Sequence, residues 1–156
     1  MDSEPQPRHP LKRTLDLTVL SLEDLHGDWR HAAHRLYVVV QAESIASYET
    51  ATATVDGGNP SWNETVVVDV PVHARSITLV VKCKNASSVK DVGIARIAVS
   101  DFLGVAVAEQ DLQDLSYGLR DWQGKRTGVI KFSVRVREPE KVRSSSGDAV
   151  DGVLVK

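Results

Sequence analysis

The sequence predicts an all-β fold, a sandwich of eight short antiparallel strands. Three observations lead there. Short runs rich in β-branched residues alternate apolar and polar side chains, the two-residue period of a strand with one face buried. Glycine, proline, asparagine and aspartate cluster between those runs, where tight turns need them. No stretch has the long 3.6-residue apolar period of an amphipathic helix, and no repeat of roughly 20 to 50 residues marks a propeller or solenoid.

In chain order, Met1 to Arg13 carries three prolines and mixed charge and reads as an unstructured arm. Thr14 to Ser21 is the first strand, with Leu15, Leu17 and Val19 on one face and Asp16 and Thr18 on the other. Leu22 to Arg35 then reads as a long polar loop, of a length often reserved for function. Leu36 to Gln41 is the second strand and Ser47 to Val55 the third. A corner follows at Asp56-Gly57-Gly58-Asn59-Pro60, where the glycines supply backbone freedom and Pro60 turns Asn59 away from helix. Trp62 comes directly after it and is expected to be buried at one end of the sandwich.

Thr65 to Val70 is the fourth strand, stopped by Pro71. Ser76 to Lys84, the fifth, places Ile77, Leu79, Val81 and Cys83 inward and Thr78, Val80, Lys82 and Lys84 outward, which makes Cys83 an inert buried thiol. Asn85 to Asp91 is a loop and Val92 to Val99 the sixth strand. Ser100 to Leu103 has the form of a helical turn capped by Ser100 or Asp101, and a variable loop follows. Leu112 to Leu119 and Gly128 to Arg137 form a hairpin whose turn Gly124 marks, with Ile130, Phe132, Val134 and Val136 inward and Lys131, Ser133, Arg135 and Arg137 outward. The serine-rich, mixed-charge stretch Glu138 to Lys156 reads as a disordered tail ending in a short apolar patch. The organisation is therefore an arm over 1–13, one domain over 14–137 and a tail over 138–156.

A chain of 156 residues can bury one core of useful size. The formal net charge of -2 indicates no basic nucleic-acid surface, so electrostatic function must come from local patches. With Cys83 alone, no internal disulfide or thiolate zinc site can form within the chain, and a reducing compartment fits. No apolar leader and no run near the roughly 18 residues of a membrane span is present, so a cytoplasmic protein is expected.

Gly57-Gly58-Asn59-Pro60-Ser61-Trp62-Asn63-Glu64 resembles the second loop of the C2 domain, an antiparallel β-sandwich family that docks on phospholipid membranes, often through calcium. With a first strand at Leu15–Leu20 and a last at Gly128–Arg137, the order is similar to the circularly permuted, type II arrangement of that family. Lys90 to Leu103 is similar to the region after the third C2 loop. Leu115 to Asp121, then Gly124-Lys125, then Gly128-Val129-Ile130, resembles the small plant C2 proteins that include the BONZAI-associated proteins and the cold-regulated SRC-type group. The resemblance implies a non-catalytic adaptor peripheral to the plasma membrane. It implies binding to acidic phospholipid and to a protein partner, a copine, and restraint of plant defence and programmed cell death.

Calcium wants six to eight oxygens, which the family usually supplies from about five carboxylates on its first and third loops. The family's Asp-Pro-Tyr-Val pattern is here Arg35-Leu36-Tyr37-Val38, a guanidinium in place of a carboxylate. In the third loop, Cys83 and Asn85 fall where two aspartates are usual, and Asp91 alone keeps its charge. Asp24, Asp28, Asp56, Asn85 and Asp91 are the candidate ligands for a weak or displaced site; no cofactor is expected beyond that. Trp29, Arg30, Arg35, Lys82, Lys84 and Lys90 are instead the candidate lipid-binding residues: the cations meet acidic headgroups, and Trp29 either inserts at the interface or folds back over the sandwich edge. Lys131, Arg135 and Arg137 read as an ordinary charged sheet face.

His26, His31 and His34 share the first loop but lack a fixed metal-binding partner. No Gly-x-Ser-x-Gly, Walker-type loop or His-Glu-x-x-His occurs, and an enzyme is not expected. The leading reading is a calcium-independent adaptor at acidic lipid. A calcium-dependent lipid sensor and a protein-binding module that never meets lipid are the alternatives.

Overall fold

The computed structural model describes residues 12–43, 45–103 and 111–137. The expected arm up to residue 11, the loop after Leu103 and the tail from Glu138 lie outside the described residues. Nine strands appear where eight were expected: β1 (Lys12–Glu23), β2 (Leu36–Gln41), β3 (Ser47–Glu49), β4 (Thr54–Asp56), β5 (Asn59–Pro71), β6 (Ser76–Lys84), β7 (Val89–Ala98), β8 (Leu112–Arg120) and β9 (Arg126–Val136). The difference lies in the third strand, which divides. β3 pairs with β2, and β4 pairs with β5.

The strand order is β3-β2-β6-β7-β8-β9-β1-β5-β4, antiparallel throughout. β7 and β8 meet at a single pair, Ile94 with Arg120. That seam separates a layer of β3, β2, β6 and β7 from one of β8, β9, β1, β5 and β4. The last strand lies beside the first, as the permuted arrangement requires. Leu15, Leu17 and Val19 from β1 and Phe132 and Val134 from β9 are fully buried in one cluster with Val38 and Val40 from β2 and Leu79 and Val81 from β6. The inward faces of the two layers thus make one core, the main source of stability at about 25 cal/mol per Å² of apolar surface removed from water.

The switch between layers is made by backbone and hydroxyl bonds. Thr50 N–H donates to Val38 O at 2.9 Å, Val38 N–H returns a bond to Thr50 Oγ1 at 3.0 Å, and Ala53 N–H donates to Leu36 O at 2.8 Å. Residues 50 to 53 therefore cross over without burying bare amides.

Irregular pairing near one end of the sandwich shapes the rest. In β1 the register shifts between Val19 and Ser21 against both neighbours, so the inward parity flips and Leu22 is buried. The strand accordingly runs past the expected stop at Ser21. β6–β7 shifts between Val81 and Lys82, and β8–β9 shifts between Leu119 and Arg120. The region after β1 is also less polar inside than expected, since Leu25, Ala32 and Ala33 are buried beneath one α-turn, α1 (Gly27–Arg30), and a 3-10 turn (Ala33–Arg35).

Three more expectations are corrected. Trp62 is half-buried rather than buried, and its indole N–H donates to Leu36 O at 3.2 Å, tying β5 to the start of β2. Ser133, expected outward, is 5% exposed. The turn after β7 is a 3-10 turn over Val99–Asp101 with Ala98 at its N-cap and no side-chain cap. Asp101 instead accepts from the Tyr117 hydroxyl. Cys83 is buried as expected, its thiol 3.7 Å from Asn85 Oδ1.

Candidate functional site

The strand registers bring four connections to one end: 24–35 after β1, the corner 56–59, the β6–β7 hairpin around Asn85–Ser88, and the β8–β9 turn over 121–125. The six candidate lipid-binding residues stand on the first and third of these.

Trp29 is half-buried and packs against the core, in the position of a cover. Arg30 is exposed, with its Nε–H donating to Leu25 O at 3.0 Å. Arg35 is half-buried, and its Nε is a buried nitrogen without a hydrogen-bond partner among the described residues. Lys82 donates to Asp91 Oδ1 at 2.7 Å, with side-chain exposures of 28% and 32%, so this cation is largely matched before any ligand arrives. Lys84 and Lys90 are exposed. Their hairpin holds one carboxylate between residues 82 and 91, the same Asp91, so its outer part keeps an excess of positive charge.

The candidate metal ligands are scattered. Asp24 is exposed in a left-handed conformation with φ 53°, Asp28 is exposed in the first turn of α1, and Asp56 is exposed in β4. Asp91 is engaged by Lys82, and Asn85 closes its own hairpin by donating its backbone N–H to Ser88 O at 2.8 Å. Among the described residues no three His, Cys, Asp or Glu side chains gather to hold a cation, so the donors do not fit a six- to eight-oxygen calcium shell. The three first-loop histidines do not assemble into such a group either.

The sequence pattern gave no role to Trp122. It stands at the tip of the β8–β9 turn with 82% of its surface exposed. The turn beneath it is closed by its own bonds. Asp121 Oδ1 accepts from the amides of Gln123 and Lys125 at 2.9 Å each, Asp121 N–H donates to Lys125 O at 2.9 Å, and Arg120 Nη1 donates to Gly124 O at 2.8 Å. Gly124 takes the φ of 81° that closing this turn demands. The indole also borders a cavity of about 170 Å³, on the outer face of the β2–β6–β7 layer, whose lining includes Val39, Val80, Ile94, Lys82 and Asp91. The available signal was a large aromatic between two hairpin strands with no inward position to occupy.

On the outer face of the other layer the charges pair with one another. Lys131 Nζ lies 3.2 Å from Glu23 Oε2, and Arg137 Nη2 lies 2.9 Å from Asp16 Oδ1. These pairs account for two of the three cations of that stripe as structural.

Comparison with known proteins places this geometry. The C2 domain family model matches residues 13–119. BON1-associated protein 2 of Arabidopsis thaliana is 31% identical over 139 residues, covering 86% of this chain and 67% of that protein. Protein SRC2 homolog of Arabidopsis thaliana is 31% identical over 144 residues, but the chain spans only 44% of its length. Among solved structures, a C2 domain of plant Extended Synaptotagmin 1 aligns with a TM-score of 0.69 at 16% identity, over 86% of this chain and all of that one. Human GIVD cytosolic phospholipase A2 aligns with a TM-score of 0.64 at 15% identity, over 85% of this chain and 17% of that one. At such identities the likeness is one of fold.

Proposed function

This chain belongs to the C2 domain family, and from that premise we propose that it is a non-catalytic adaptor at the cytoplasmic side of the plasma membrane, with its loop end meeting acidic phospholipid. The observation that carries the reading is the β6–β7 hairpin, where Lys84 and Lys90 are exposed while the one nearby carboxylate is held by Lys82. Each such cation near an acidic bilayer contributes on the order of 1 kcal/mol without a bridging metal. Arg30, exposed, and Arg35, half-buried, lie on the neighbouring connection and add guanidinium charge to the same end. Docking of this kind is independent of calcium. The protein partner is a copine, in a role that restrains defence and cell death; the relative named as a BON1-associated protein supports this part of the reading.

Co-sedimentation with phosphatidylserine-containing vesicles tests it. Binding in chelator is expected, weakening as salt rises from about 0.1 to about 0.5 M because exposed charge is screened. Lys84→Glu with Lys90→Glu, both at exposed positions, is expected to abolish most of it, and Arg35→Glu to reduce it further. Binding that requires calcium and is lost in Asp28→Asn with Asp91→Asn would establish the sensor instead. Capture of a copine by the full chain from plant extract, without vesicles, tests the partner separately.

A further inference from the structure

We infer that Trp122 is a membrane-interface anchor and that the chain docks tilted, on the side of its β6–β7 and β8–β9 turns. The inference rests on the lipid reading above and names the residue and orientation that reading leaves open. Exposure comes first. Trp122 and Ile45 are the most exposed large apolar side chains among the described residues, and of the two Trp122 is the one at the loop end. Partial burial of an indole at the interface strengthens association by about tenfold, and its N–H suits the headgroup zone, where one edge stays wet.

Rigidity comes second. The hydrogen bonds that close residues 120 to 125 hold the ring out on a fixed platform, so little ordering cost accompanies insertion. Charge comes third and selects the occupant. Arg120, Lys125 and Arg126 lie within four residues of Trp122 in sequence, while Asp121, the only carboxylate of the turn, is turned inward on backbone amides. Arg126 lies across Gly118 of β8, its Nε 2.8 Å from where a side chain there would begin, so its guanidinium covers the strand just below the turn. Trp122 borders the same cavity as Lys82 and Asp91, so this cationic turn and the Lys84–Lys90 hairpin adjoin. On the first connection Asp24 and Asp28 are balanced by Arg30 and Arg35, and the corner carries exposed Asp56, so the net positive charge of the loop end lies on the β6–β7 and β8–β9 turns. An acidic bilayer therefore attracts those two turns most strongly, which tips the sandwich toward Trp122.

Full-length protein is titrated with phosphatidylcholine–phosphatidylserine vesicles, with and without brominated acyl chains. Trp122→Ala is expected to bind about tenfold more weakly, the loss of one desolvated aromatic anchor, and Trp122→Phe to recover most of that. The wild type is expected to lose fluorescence to brominated lipid, and Trp122→Ala to show no such quenching, because Trp29 and Trp62 pack against the core. If vesicles bind equally well to wild type and Trp122→Ala with equal quenching, the anchor is overturned while lipid docking stands, and the indole and its cavity belong to a protein contact. If the wild type binds no vesicle at any salt, the lipid reading itself fails and takes this inference with it.

Discussion

Among single residues, the sharpest constraints sit where side chains replace missing backbone partners. Glu43 adopts φ 48° and accepts the amides of Arg75 and Ser76 at 2.9 and 2.8 Å through one oxygen. Those backbone bonds, foremost the one from Arg75, hold its carboxyl below the usual value of 4.5. Because the folded value is the lower one, its contribution is fully present above about pH 4.5 and is lost as pH falls through the folded value. Glu43→Gln is expected to lower Tm at neutral pH, and the gap to wild type should close on acidification; a pH-independent gap would assign Glu43 a purely steric role. Gly93 marks a different limit. A methyl there would lie 2.6 Å from Thr127 Oγ1 and 2.7 Å from Leu119 Cγ, so Gly93→Ala is expected to cost about 1–3 kcal/mol in urea unfolding. Arg35 separates function from stability. Since its buried Nε finds no partner among the described residues, Arg35→Met should leave stability within about 1 kcal/mol of wild type while weakening vesicle binding.

Among the secondary-structure elements, the strands follow from alternation and their ends follow from bulges. β2 and β6 have the bounds that side-chain period alone indicates. β1, β5 and β7 extend beyond them, because a bulge or a neighbouring strand lets pairing continue after the alternation breaks. The divided third strand depends on Thr50, a buried residue whose hydroxyl receives the Val38 amide and donates to Ala51 O at 2.8 Å. Thr50→Val keeps the shape but leaves that amide bare, an expected cost of about 1–3 kcal/mol. Trp62→Phe should cost about 1 kcal/mol through loss of the bond to Leu36 O. Thermal melts of the two variants measure both.

For the molecule taken together, the boundaries of the folded unit are a prediction. β1 begins at Lys12, β9 ends at Val136, and Arg137 N–H donates to Thr14 O at 2.9 Å, so the two chain ends of the sandwich close on each other. A chain trimmed to residues 12–137 is therefore expected to melt cooperatively at a Tm close to that of the full chain. A large drop would mean that the flanking segments contribute to the fold. No helix among the described residues is long and apolar enough to cross a membrane.

Strand class, most inward positions and family were legible in the order of residues, because alternation, turn residues and the Gly57–Glu64 corner are local signals that each segment carries alone; Ser133, buried where the alternation points outward, was not. The expectation that Arg35 stands where the resemblance implies a carboxylate likewise rests on a local motif, Arg35-Leu36-Tyr37-Val38. Which charges are spent became visible only in three dimensions. Lys82 is matched by Asp91 across a bulged pair, and Lys131 and Arg137 are matched by Glu23 and Asp16 on a neighbouring strand. The same holds for the tryptophans, since Trp29 packs against the core while Trp122 stands in solvent. Exposure and ion pairing depend on neighbours distant in the chain, and a side chain's own sequence surroundings do not fix the register that brings those neighbours to it.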